Sequence, residues 1–586
     1  MEQLHQYQQR QQRKSTIGSF VKSNDAVTRI PTLLIHVIME RRDFVRLSSL
    51  LGTGMLLKLN GIPLYAGETS AMLEEITKSS MNNRVLVLVQ LHGGNDGLNM
   101  VIPINQYGMY YNLRPNIAIP QSGTRKYITL DANLPSNRQV GLHPDMVGAK
   151  AMYDAGKMAV IQNVSYENMN GSHFRSRDIW FMGGDADEHL ASGWMGRYLE
   201  HYHPNYPIGY PNSTLPDPLA LEMGNGVSLA FHRSEGIPAG LSIQNPDAFY
   251  TLINSVGGTE PVNVPLTHAG DEIEYIMQLE RQSNNYAGRL KSVYDAGTNS
   301  GTVYPDLYPY IAPSGYLHNP LAPQLKIISR LLSGGIGTKI FLCRIGGFDT
   351  HANQVVNNNT SMGSHAALLY HISSAMKAFY DDLGALGLAD RVLSMTFSEF
   401  GRRVASNASY GTDHGNAAPM LVFGTCINPG VYGDNPDLQN LQGGNVPLQH
   451  DYRQVFTSVV KDWFQASDPA IQDVRFQDYV ANRVDYVACK ELSVTELFKE
   501  NFEINCYPNP TSNSISINYR LKYDSTIAIE IMDISGRKIA SSSKIPNQAG
   551  EHTVDFDLSA YSNGTYIVTF YSNDSIVKTE KIIINK

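Results

Sequence analysis

Cysteine is scarce: four residues in 586, Cys343, Cys426, Cys489 and Cys506, form neither a metal-binding CxxC pair nor a dense disulfide framework. A Cys489–Cys506 bridge is one arrangement open to them, and buried or free thiols are the other. Basic charge is not in excess, since 46 Lys and Arg face 54 Asp and Glu for a net −8, so the chain offers no field for a nucleic-acid backbone. A mean hydropathy of −0.24 excludes a polytopic membrane protein. No internal repeat of solenoid length is present. What is present is ordinary globular composition, 42% hydrophobic and 17% charged, in a chain long enough for more than one domain.

The amino-terminal 66 residues read as an address. Residues 1–38 are rich in Gln and Lys and are expected to be disordered or to precede the true start, with Met39 as a conventional initiator. Residues 39–66 place Arg41 and Arg42 two residues before Phe44 and ahead of the apolar stretch Leu47–Leu57, which resembles a twin-arginine export signal. That stretch falls short of the roughly 20 apolar residues of a membrane span, so no transmembrane segment is expected in the mature chain.

From 84 to 470 short apolar runs alternate with helical patterns, which argues for an α/β domain with a mainly parallel sheet flanked by helices. Apolar side chains of period 3.6 predict a helix over Ser364–Leu386, and another beginning at Tyr452. The Pro-, Asn-, Tyr- and Gly-rich stretch 201–316 is expected to be an insertion with one helix near Glu272–Leu290, and 471–501 a linker. Beyond it, alternating runs such as Ile515-Ile517-Tyr519 and Ile527-Ile529-Ile531 predict a small all-β sandwich over 502–586. Its phrases CYPNPTSNSISI, IMDISGRKIA and LSAYSNGTYIVTF resemble the type A sorting domain of the type IX secretion system. The resemblance implies handling by that machinery and a secreted or outer-membrane surface-attached product.

The chemistry is expected at the strand ends. The run Val85–Leu91 ends in HGGNDG, Met158–Val164 in SYENMNGSHFRSRD, Lys339–Ile345 in GGFDTH and Arg391–Phe397 in SEFGRR, while GTDHGNAAP precedes Met420–Gly424. In a parallel α/β sheet ligands bind beyond the carboxyl ends of the strands. One polar cluster is therefore predicted from Asp96, Ser172, His173, Asp349, His351 and Glu399, joined by Asp413 and His414. So many carboxylates repel one another unless a cation neutralises them, which points to a divalent metal. Mixed oxygen and imidazole donors suit zinc or manganese first, calcium or magnesium less well.

The phrases VQLHGGNDGLNMVIP, SHFRSRDIW, GGFDTHANQ, FSEFGRR and GTDHGNAAPMLVFG occur in an order similar to that of the family called domain of unknown function 1501, which is grouped with alkaline phosphatase-like metal-dependent phosphate and sulfate ester hydrolases. The resemblance implies an alkaline phosphatase-like fold. It also implies Ser172 as nucleophile and metal ligands at Asp96, Asp349, His351, Glu399 and His414, with Asp413 beside them. His173 or Arg402 would steady the substrate anion. Phe400, where the superfamily has a histidine, and the close spacing of Asp349 and His351 depart from the pattern and leave a single metal or a degenerate site open. The expected activity is hydrolysis of a small-molecule or polymer ester outside the inner membrane. The alternative is a cell-surface binding or assembly protein that kept the fold and lost the chemistry.

Overall fold

The structure is a computed structural model that describes residues 56–59, 62–65, 83–256, 267–488, 502–521, 525–534, 536–543, 545–548, 550–572 and 575–586. The expected disordered prefix, the Arg41-Arg42 pair and Cys489 lie outside the described residues. Within the expected export signal, Leu56–Leu59 and Ile62–Tyr65 pair as a short antiparallel hairpin.

A nine-stranded sheet organises the α/β part. Its strands in chain order are β1 (Val85–Leu91), β2 (Met158–Ser165), β3 (Ala220–Met223), β4 (Gly240–Ile243), β5 (Ile340–Ile345), β6 (Val392–Phe397), β7 (Ala418–Phe423), β8 (Gly430–Tyr432) and β9 (His450–Asp451). They lie in the order β8-β2-β7-β6-β1-β5-β3-β4, with β9 paired to β2. β1 is central, parallel to β5 on one side and to β6 on the other. Every residue of β1 is buried, the continuous apolar run expected of a strand covered on both faces. β7 alone runs antiparallel to its two neighbours β6 and β2.

Among the helices are α1 (His173–Met182), α2 (His268–Ala296), α3 (Ser364–Ala385) and α4 (Tyr452–Ser458). α3 follows its expected span, and the Tyr452 helix ends in a π-turn over Val459–Trp463 that keeps Val459 and Trp463 in the core. Two boundaries move. The segment 201–316 is more than an insertion, because β3 and β4 inside it extend the central sheet; at four residues each they are too short to show a period. Residues 471–488 are more than a linker, since Ile471, Val474, Phe476, Val484 and Tyr486 belong to the main core.

The carboxy-terminal segment forms two antiparallel sheets. One is Phe502–Tyr507, Ser514–Leu521 and Gly550–Asp557, and the other is built on Ser525–Asp533, Gly564–Ser572 and Ser575–Ile584. Ile515, Ile517, Ile529, Ile531, Val568 and Phe570 fill a core of their own, which makes it the small all-β sandwich expected. The thiol of Cys506 is free, so it does not bridge to Cys489. Cys426 is the disulfide-bonded cysteine of the described residues, at a point where Ala488 N donates to its carbonyl. The sequence left both a bridge and free thiols open; the backbone pairing of 426–427 with 487–488 comes only with folding.

Candidate metal centre

Five loops meet at the carboxyl rim of the sheet. β1, β2, β5 and β6 deliver theirs in the forward direction. The GTDH loop precedes β7, and because β7 runs backwards its amino end lies at that same rim.

The loop after β1 turns through Gly93, whose φ of +124° is reserved for glycine, and a Cβ there would overlap the backbone nitrogen of Asp349. Close approach of these two backbones sets Asp349 over the rim. Glu399, at the end of β6, is fully buried beneath it. Its Oε1 accepts from Gly93 N at 2.8 Å and from His173 Nδ1 at 3.0 Å. His92 Nδ1 lies 3.3 Å from the same oxygen without a well-aligned hydrogen bond. Burial pushes the Glu399 carboxyl up, but the hydrogen bond from His173 and the nearby His92 imidazole outweigh it and bring the pKa down to about 2. α1 is anchored here as well, since Ser176 Oγ and Trp180 Nε1 both donate to the Glu399 carbonyl.

Three imidazoles point their Nε2 atoms at one carboxylate oxygen. Asp349 Oδ1 lies 3.5 Å from His173 Nε2, 3.3 Å from His351 Nε2 and 3.5 Å from His414 Nε2. The Nε2 atoms of His351 and His414 are 2.9 Å apart. Each ring is held by its other nitrogen. His173 Nδ1 donates to Glu399, His414 Nδ1 donates to the Gly171 carbonyl at 2.8 Å, and His351 Nδ1 faces Asp413 Oδ1 at 3.4 Å. Hydrogen bonds of this kind fix the tautomer and aim the opposite lone pair, the arrangement that metal-ligating histidines use. Phe400 packs against two of the rings, its centroid 4.9 Å from His173 and 4.5 Å from His414.

The donors fit a divalent ion. His173 Nε2 is buried and has no hydrogen-bond partner. His414 is held below the ordinary imidazole range, chiefly by burial, so its Nε2 carries a bare lone pair toward His351 Nε2; two such nitrogens in contact need a proton or a cation between them. His173, Asp349 and His414 offer ligand atoms all within 4.8 Å of one another. Their spacings approach the edge of about 3.3 Å in a tetrahedron whose donors stand roughly 2.0–2.1 Å from zinc.

The other expected site residues take different places. Asp96 is fully buried, with Arg114 Nη1 2.8 Å from both its oxygens and Gln354 Nε2 2.6 Å from Oδ2. Burial raises its pKa and Arg114 more than reverses the effect; its charge is neutralised by a guanidinium. Glu399 and Asp413 contact the Nδ1 atoms of His173 and His351, on the far side of the rings from Asp349. Arg402 is enclosed, donating to the carbonyls of Gly94, Thr412, Gly93 and Phe348, and to Asp349 Oδ1 at 2.6 Å. Burial opposes the Asp349 charge, but Arg402 holds the carboxyl below its usual range. Ser172 is exposed and caps α1, its Oγ accepting from Arg175 N at 3.5 Å. His92 was missed in the sequence, although it opens the polar corner after β1. Arg114 was missed for want of any signal, since only folding brings it to Asp96.

Two parts of the chain match known families. The family described as "Protein of unknown function (DUF1501)" matches residues 327–468, the span containing Asp349, His351, Glu399, Arg402, Asp413 and His414. The family described as "Secretion system C-terminal sorting domain" matches residues 505–585. The chain thus carries a type IX sorting tail and is marked for export, to the cell surface or the medium. No curated protein matches it. Solved structures resemble it at low identity. A protein of the alkaline phosphatase superfamily from Vibrio parahaemolyticus is 8% identical, covers 75% of this chain and 76% of its own, and gives a TM-score of 0.29. A sulfatase described with glycosaminoglycan metabolism by Bacteroides thetaiotaomicron is 11% identical, with 81% and 90% covered and a TM-score of 0.28. A 2-O GAG sulfatase is 9% identical, with 80% and 84% covered and a TM-score of 0.22. Likeness at this level assigns no residue a role. No helix among the described residues is long and apolar enough to cross a membrane.

Proposed function

We propose that the chain is an exported metal-dependent hydrolase of a phosphate or sulfate ester, with one divalent ion held by His173, Asp349 and His414 and with His351 as a further donor. The observation that carries this reading is the convergence of three Nε2 atoms on Asp349 Oδ1 while each Nδ1 faces a different acceptor. His173 moves in this reading from anion binding to metal ligation. Bound there, a zinc- or manganese-like ion would supply Lewis acidity toward an ester oxygen. The residues of the chain do the rest. Glu399 and Asp413 orient the imidazoles, and Arg402 positions Asp349; with its guanidinium enclosed, Arg402 is a positioning residue here and does not clamp the substrate. Ser172, adjacent to His173 at the amino end of α1, is the nucleophile in this reading, where helix N–H groups favour an approaching anion.

Metal analysis after mild purification should find about one zinc or manganese per chain, lost in Asp349→Ala and in His414→Ala. Chromogenic phosphate and sulfate esters should be turned over by the loaded protein and not by Ser172→Ala. Absence of both metal and turnover would overturn the reading. A second reading, binding or assembly at the cell surface without turnover, is favoured by Phe400 against His173 and His414 and by the neutralisation of Asp96 through Arg114. It expects a bound ion and no hydrolysis.

A further inference from the structure

Beside the metal centre lies a cavity of about 530 Å³, within the usual size of small-molecule sites. It opens at the carboxyl ends of β3 and β5, and Arg177, Glu222, Ser228, Arg344 and Gly346 are among its lining residues. It shares two walls with the candidate centre. Arg177 follows His173 by four residues on α1, so both stand on one face of that helix. Gly346 precedes Asp349 by three residues in the loop after β5.

The polar groups of this cavity are incompletely paired. Arg344 donates through Nε to Gln90 Oε1 at 3.0 Å and reaches Glu222 Oε1 only at 3.4 Å. Gln90 is fully buried, yet its Nε2 has no hydrogen-bond partner, and neither has the buried Ser228 Oγ. Glu222 Oε2 accepts from Ser228 N at 2.8 Å, so a carboxylate is fixed at the wall among two guanidiniums. Buried polar atoms without partners are uncommon in folded proteins; of these two, Ser228 lines the cavity, and Gln90 lies behind it as the partner of Arg344. Next to the lining residue Arg177, whose guanidinium sits 5.7 Å over its ring, Phe174 is 73% exposed. An exposed aromatic beside a polar cavity can cover an apolar ring face, while the guanidiniums bind an oxyanion and Glu222 accepts from hydroxyls.

We propose that this cavity is the recognition subsite for the non-reacting part of the substrate, a hydroxyl-rich ring bearing a carboxylate, held by Arg344 and Arg177 with Phe174 against its apolar face. The assignment rests on the hydrolase reading only in giving the reactive end of that molecule to the metal centre. Binding at the subsite stands independently of it.

The experiment titrates the full chain calorimetrically with glucuronate and, separately, with glucose, before and after treatment with a chelator. Saturable glucuronate binding is expected in both states, with glucose weaker by roughly tenfold or more. Arg344→Gln should weaken glucuronate binding by a similar factor. Because that change also leaves Glu222 short of its partner, Arg177→Gln provides the second variant; its guanidinium is paired with the neighbouring Asp178 on the same helix and not with Glu222. Failure of glucuronate to bind the unaltered chain, or binding by both arginine variants as tight as that of the unaltered chain, overturns the proposal. Glucuronate binding in a chain that turns over no ester upholds the subsite and removes the hydrolase.

Discussion

Glu399 shows how a single side chain can bear on a candidate metal centre from beneath it. Its ionised, fully buried carboxylate gives His173 Nδ1 an acceptor, while Nε2 is left without a hydrogen-bond partner. Replacing it by glutamine keeps the shape and removes the charge. Glu399→Gln should lower metal affinity by roughly 10–100-fold in competition with a chromogenic chelator, with the fold retained; unchanged affinity would show that His173 is not a ligand. Asp96 predicts differently. Arg114→Leu leaves a buried carboxylate with one partner fewer, and should cost about 3–5 kcal/mol in urea unfolding. At this scale the sequence revealed which residue types gather at the rim, while it set His173 apart from the expected ligands and did not show that Asp96 is held by Arg114. Residue type cannot tell which carboxylate will find a guanidinium, and Arg114 reaches Asp96 only because folding puts it there.

At the scale of elements, the loops after strands were readable because a buried parallel strand announces itself as an uninterrupted apolar run. β1 matches its predicted span, and the runs that became β5 and β6 lie within a residue of theirs. The direction of β7 was hidden, since an apolar run reads the same either way, and it is this reversal that lets Asp413 and His414 reach the rim. The short strands β3 and β4 left no period to detect. Gly93 is the pivot between elements. Gly93→Ala would force a Cβ onto the Asp349 backbone and strain a φ of +124°, so metal content should fall although the substitution touches no ligand side chain. Full occupancy in this variant would mean that the two loops can separate without loss of the centre.

The whole molecule contains several histidines enclosed as neutral rings. Burial lowers His203 and His365 to about 4, and holds His143 well below its ordinary value. An unfolded histidine titrates near about 6.5. Between that pH and about 4 the unfolded chain takes up protons that the folded chain refuses, so stability present above 6.5 is lost as pH falls. The thermal midpoint should be lower at pH 5 than at pH 7, and a midpoint that rises over this range would contradict the assignment. Separate hydrophobic cores in the α/β part and the sorting tail also let each be cut away in thought without opening the other. Within the α/β part, His173, Asp349 and His414 hang from segments remote along the chain, with α1, the loop after β5 and the loop before β7 each contributing one. An ion shared among them would act as a reversible rivet through distant stretches of backbone. Sequestering that ion should leave the sheet standing while its rim becomes the first place a protease can cut.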